Sequence, residues 1–166
     1  MTPNTRAFAT AEARQAFSGA LLTSPATWMN RPDAESVASI KMVQLETAAR
    51  RGLTIPETLV TNNPDEARSF FGSEHSDEET IYKRLATVLL WTEDQRLTAF
   101  ETEKVDADAR ERLDQVAVTP CLFQRYVPEQ YEIRATVVAG TVVAARVDSQ
   151  ASSTAAVDWR ADPSLP

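Results

Sequence analysis

The sequence predicts an α+β fold with a largely antiparallel sheet in its second half. Residues 6–51 carry apolar side chains at helical spacing. Short β-branched runs follow, punctuated by Pro, Gly and Asn. After residue 120, "CLFQRYV", "YEIRATVVAG" and "TVVAARVDSQ" read as three strands of a meander, the last two joined around Gly140-Thr141.

In chain order, Ala9, Ala13, Ala16, Phe17, Ala20 and Leu21 recur as one face of a helix over 6–22. "TSPATWMNRP" is a loop with two prolines. Residues 33–51 read as one helix capped by Asp33, with Val37, Ile40, Val43 and Ala48 on its apolar side and Gly52 as its stop. "LTIPETLVT" is strand-like. Asn63 caps a helix that starts at Pro64 and ends at Gly72. "TIYKRLATVLLW" and "RLTAFETEKV" read as strands, and 106–117 as a charged helix. The tail from Ala151 has no clear period, and the chain shows no internal repeat.

The chain has 166 residues, enough for one ordinary domain or two small subdomains, and its 43% hydrophobic content predicts a packed core. A net charge of −7 argues against a general nucleic-acid partner, which needs a basic face to neutralise phosphates. A small basic pocket inside an acidic molecule remains compatible with that balance. No apolar run reaches the ~18 residues of a membrane span, and the N-terminus lacks a signal-peptide core. Cys121 is the one cysteine and His75 the one histidine, so an internal disulfide and a Cys/His zinc site are not expected. The single cysteine suits a cytoplasmic, reducing location.

The polar residues among the last strands raise the functional question. Cys121, Phe123 and Arg125 alternate onto one face, and Leu122, Gln124 and Tyr126 onto the other. Pro128 breaks the strand. Glu132 and Arg134 then lie two apart on one side of the next strand. Pattern alone favours a plain ion pair between them. The alternative is a carboxylate for a sugar diol and a guanidinium fork for phosphate or carboxylate. Lys83 taken alone reads as a solvent-facing strand lysine, and Lys41 as a snorkelling helix lysine.

Order and spacing add to this. "IKMVQLETAARRGLTIPETLVTNNPDEARSFF", "IYKRL", "CLFQRYVPEQYEIRATVVAGTVVAARVDSQ" and "DWR", in that order from about Trp28 to Arg160, resemble the ATP-grasp ligases. Within that superfamily the chain is similar to the ATP-grasp ribosomal-peptide maturases, with the ribosomal-protein glutamylating ligases more distant. The resemblance implies a partial ATP-grasp fold. Residues 1–30 would be a remnant helix and linker of the preceding domain, 31–120 the smaller subdomain, and 121–166 the start of the larger one. Apolar surface left by absent domains would let copies associate into homo-oligomers.

The same resemblance assigns roles. Gln124, Arg125, Tyr126 and Val127 form the hinge strand, with Tyr126 and Val127 backbone groups at the adenine edge of ATP. Glu132 meets the ribose, and Lys41 and Lys83 reach the phosphates. Arg134 faces phosphate and the acyl substrate, and Arg160 the triphosphate. The implied reaction converts an Asp or Glu carboxylate of a precursor peptide into an acyl phosphate. A Lys amine or a Ser or Thr hydroxyl then displaces the phosphate. Three departures accompany the likeness. Arg125 stands where many members carry Glu, and "RLATVLLWTEDQRLTAF" lacks the glycines of a phosphate flap. The family's magnesium ligands, an acidic residue and then Glu-x-Asn, have no counterpart before Pro166. The chain is thus expected to be a fragment, inactive alone, with a nucleotide- or leader-peptide-binding remnant as the other reading.

Overall fold

The computed structural model describes residues 2–72, 79–86, 89–91, 97–99, 102–153 and 155–161. They fall into two compact units, 1–53 and 54–166.

The first unit is helical. Helix α1 (Pro3–Thr23) opens with the Thr2 hydroxyl accepting the Thr5 amide at 3.2 Å and Pro3 in the first turn. The expected single helix over 33–51 is instead two, α2 (Pro32–Ala38) and α3 (Lys41–Arg50). The N-cap position is Arg31, not Asp33, whose carboxylate accepts from the Arg31 side chain. Local serine bonds explain the break. Ser36 and Ser39 hydroxyls donate to the Pro32 and Ser36 carbonyls, and Ile40 turns extended (φ −74°, ψ 114°). The Gln44 amide then donates to the Ala38 carbonyl at 2.7 Å and closes the exposed end of α2. Gly52 stops α3 as expected, at φ +79°. None of the three helices buries a residue, and Phe8, Phe17, Val37 and Ile40 stay exposed.

The second unit is built on a four-stranded antiparallel sheet of order β1 (Thr58–Thr61), β6 (Cys121–Arg125), β2 (Thr80–Lys83), β5 (Glu103–Lys104). Strand β1 is shorter than "LTIPETLVT" because Pro56 has no amide to donate. Helix α4 (Pro64–Phe71) starts where predicted, with Asn63 Oδ1 accepting the Asp65 amide at 2.9 Å. The run 80–91 is two strands. β2 lies in the main sheet, and β3 (Leu89–Trp91) pairs, among the described residues, only with β4 (Leu97–Ala99). The charged helix is α5 (Ala107–Glu111) followed by a 3-10 turn over Leu113–Val118, whose three-residue repeat buries Leu113 and Val116 together. The core joins these two residues to Ala67, Phe70, Phe71 and Phe123. Phe71 sits edge-on between Phe70 (6.0 Å) and Phe123 (5.3 Å).

The predicted three-stranded meander does not form. Strand β6 already has β1 on one edge and β2 on the other, so no edge remains for the strand that follows it. Strands β7 (Glu132–Val138) and β8 (Thr141–Val147) make a separate hairpin, turning through Ala139 and Gly140, both at positive φ. Val137, Val142 and Val143 remain more than 60% exposed on this hairpin. Residues 149–161 contribute two short 3-10 turns, with Ser149, Ala155 and Asp158 buried.

Candidate functional site

Alternation on the central sheet separates two kinds of chemistry. Thr80, Tyr82, Phe123 and Arg125 share one face, and Phe123 and Tyr82 join the aromatic core there. The Arg125 guanidinium is buried on this side. It donates to Glu57 Oε2 (3.1 Å), Thr80 Oγ1 (3.1 Å) and the Phe70 carbonyl (2.7 Å), and lies 4.2 Å from the Phe70 ring centroid. Its observed contacts thus stitch β6 to Glu57 just ahead of β1, to β2 and to α4.

The opposite face carries Ile81, Lys83, Leu122 and Gln124. Gln124 is buried between two partners. Its Oε1 accepts from Lys83 Nζ at 2.9 Å, and its Nε2 donates to Thr58 Oγ1 at 2.8 Å. Lys83 is therefore a half-buried lysine held by Gln124, not a solvent-facing one. Alternation alone could not show this, because the partner lies on another strand.

The hinge follows. The Tyr126 amide donates to the Glu79 carbonyl at 2.7 Å, so this backbone donor is committed to the sheet. The Tyr126 carbonyl and the groups of exposed Val127 are what the stretch can offer a ligand edge. The Tyr126 phenol donates to the Ala156 carbonyl at 3.1 Å, and Lys104 Nζ sits 4.4 Å from its ring. Burial pushes the Tyr126 pKa up, and the Glu129 charge adds to this. The tyrosine thus ties the end of β6 to the tail just before Asp158.

Around that tail the remaining residues gather. Glu132 Oε1 is buried and has no hydrogen-bond partner among the described residues. The predicted ion pair between Glu132 and Arg134 is absent among them. Arg134 instead lies 5.6 Å from the Trp159 ring centroid, and Arg160 lies 5.4 Å from the same ring. The buried Asp158 carboxylate accepts from Arg160 NH1 (2.9 Å), the Arg160 amide and the Thr102 amide. Sequence reading singled out both arginines and missed Trp159, whose spacing carries no signal of its own. Lys41 stands at the first residue of α3, in the helical unit. The glycine-poor stretch ends in the β3–β4 pair, and His75 falls outside the described residues.

Among the described residues no three His, Cys, Asp or Glu side chains converge so as to hold a metal ion. No helix among them is long and apolar enough to cross a membrane.

No protein-family model matches the chain, and no curated protein sequence does. Solved structures do match. A Chryseobacterium gregarium RiPP-associated ATP-grasp ligase, in complex with ADP and a leader and core peptide, superposes with TM-score 0.82 and 31% identity. The match covers 98% of this chain and 47% of that one. The macrocyclase MdnC from Microcystis aeruginosa MRC, bound with precursor peptide MdnA, gives 0.80 and 25% over 90% of this chain and 49% of that one. The ATP-grasp ligase PsnB, with minimal precursor, Mg and ADP, gives 0.62 and 25% over 87% and 43%. The chain spans about half the length of these relatives. Likeness along nearly all of this chain, to several ligases of one kind, shows a partial ATP-grasp fold, most like that of the RiPP-associated ATP-grasp ligases.

Proposed function

We propose that the chain is the nucleotide-binding portion of an ATP-dependent carboxylate–amine or carboxylate–hydroxyl ligase that modifies a ribosomally made precursor peptide. The observation that carries this reading is the buried Glu132 Oε1 without a partner among the described residues. A desolvated carboxylate oxygen left unpaired destabilises a fold by roughly 1–3 kcal/mol or more, so it calls for an external donor. A ribose hydroxyl is such a donor. Lys83 on Gln124, and Arg134 and Arg160 around Trp159, supply cations suited to a polyphosphate.

In this reading the backbone of Tyr126 and Val127 meets the adenine, and Gln124 sets the Lys83 ammonium. Arg134 faces the phosphate and the acyl group. Lys41, and a ligand-facing role for Arg125, rest on the family resemblance alone. Residues 1–30 would belong with a preceding domain, 31–120 would form the smaller subdomain with β6 completing its sheet, and 121–166 would lead into the larger one. The substrate carboxylate would attack the γ-phosphate to give an acyl phosphate, and an amine or hydroxyl of the peptide would then expel phosphate. Phosphoryl transfer of this kind relies on positioning and charge neutralisation. ATP fits the groups present. Magnesium does not, since no converging set of ligands is found among the described residues, and no step is routed through it. A cytoplasmic setting suits the single, half-buried Cys121.

Calorimetric titration with ATP, with and without magnesium, tests the reading. Weak binding is expected, lowered about tenfold or more by Glu132→Gln. ATP affinity untouched by that change would overturn it. The exposed Phe8, Phe17, Val37 and Ile40 of the helical unit favour a second reading, a non-catalytic module that captures a leader peptide. Peptide binding without ATP binding would select it.

A further inference from the structure

We infer that Trp159 is a positioning residue that holds Arg134 and Arg160 as the two arms of an anion clamp for a tripolyphosphate group. The inference rests on the nucleotide reading above and adds a residue to it.

The two guanidinium carbons lie 5.6 and 5.4 Å from one indole centroid, inside the range where an aromatic face attracts a cation. The two arginines come from distant parts of the chain, β7 and the tail, and their like charges repel. Something must offset that repulsion. Asp158 does so for Arg160 alone, taking the N–H of NH1 out of five donors. Among the described residues Arg134 has no carboxylate partner, so the indole is the group that holds it. An aromatic face attracts without consuming N–H donors. A carboxylate in its place would neutralise the arms and occupy their forks. Trp159 therefore gathers positive charge and leaves it able to bind. The segment is fixed from both sides: Tyr126 anchors Ala156, and Asp158 is held by the Thr102 amide. The half-buried indole is thereby kept beside the start of β7, two residues beyond the unpaired Glu132.

The test uses the full chain and two probes, ATP and inorganic tripolyphosphate. Calorimetry compares wild type, Trp159→Leu, Trp159→Phe and Glu132→Gln, while NMR follows the Arg134 and Arg160 side-chain resonances. Trp159→Leu should weaken both probes about fivefold to tenfold, and Trp159→Phe should restore most of the loss. Both arginine resonances should leave their ring-shifted positions in Trp159→Leu and respond to tripolyphosphate in wild type. Glu132→Gln should weaken ATP only. The clamp is overturned if Trp159→Leu keeps wild-type affinity, or if tripolyphosphate leaves both arginines unmoved. The nucleotide reading fails separately, if ATP binds no tighter than tripolyphosphate and Glu132→Gln changes neither while the clamp still responds. Unchanged melting and backbone resonances in Trp159→Leu distinguish lost positioning from unfolding.

Discussion

At the scale of single residues, Gln124 decides what Lys83 is. Its amide is satisfied on both ends, by Lys83 and by Thr58, inside a sheet. Replacing it with Leu removes the acceptor that Lys83 uses here and the donor to Thr58 from a buried position in the sheet, a loss of about 1–3 kcal/mol. The expected outcome of Gln124→Leu is a lower denaturant midpoint and weaker ATP binding than Gln124→Glu, which keeps an acceptor for the lysine. Tyr126 gives a pH prediction. Its phenol has a pKa raised above the ordinary 10.0 by burial and by Glu129. A raised folded value favours the protonated form. The associated stability is full below pH 10 and is lost as pH rises through the folded value. Ionisation also removes the proton donated to the Ala156 carbonyl. Tryptophan fluorescence followed during alkaline titration should change together with tyrosinate absorbance, and Tyr126→Phe should abolish the coupling.

At the scale of elements, α4 and β6 hold the second unit together. Phe123 contacts Phe71 and Tyr82 at once, in the middle strand of the sheet. Phe123→Ala should cost about 3–5 kcal/mol, read as a shift in urea midpoint at constant m-value. Asn63→Ala should cost only about 1 kcal/mol, since it removes one cap bond from a helix whose buried face stays intact. The difference between these two values checks that burial, not capping, fixes α4. Boundaries in this region were the least legible from sequence. The strand ends at Lys83 and a second one starts at Leu89 with a different pairing partner, and no local pattern in "TIYKRLATVLLW" announces a change of partner.

For the whole molecule, apolar surface is the dominant feature. The helical unit buries no residue of α1, α2 or α3, and the β7–β8 hairpin exposes valines on both faces. A two-stranded hairpin by itself is marginal in water. The chain should therefore bind a hydrophobic dye and associate with rising concentration, as sedimentation measures. A monomer that stays dye-silent at high concentration would contradict this.

The amino-acid order alone determined the fold class, the first helix (expected over 6–22), the helix from Pro64 with its Asn63 cap, the Gly52 stop, and the candidate residues on either side of Pro128. These depend on local spacing and on backbone chemistry that each residue carries with it. Tertiary structure decided the rest. β6 is a central strand and not the first of a meander, because β1 and β2 occupy both its edges. Glu132 and Arg134 do not pair, because Trp159, from a segment with no readable period, stands beside the arginine. Lys83 bonds to Gln124 instead of facing solvent, and Arg125 is buried on the core face. Each outcome depends on a partner tens of residues away, and hydrogen-bond pairing and burial are properties of the assembled sheet, not of the local sequence.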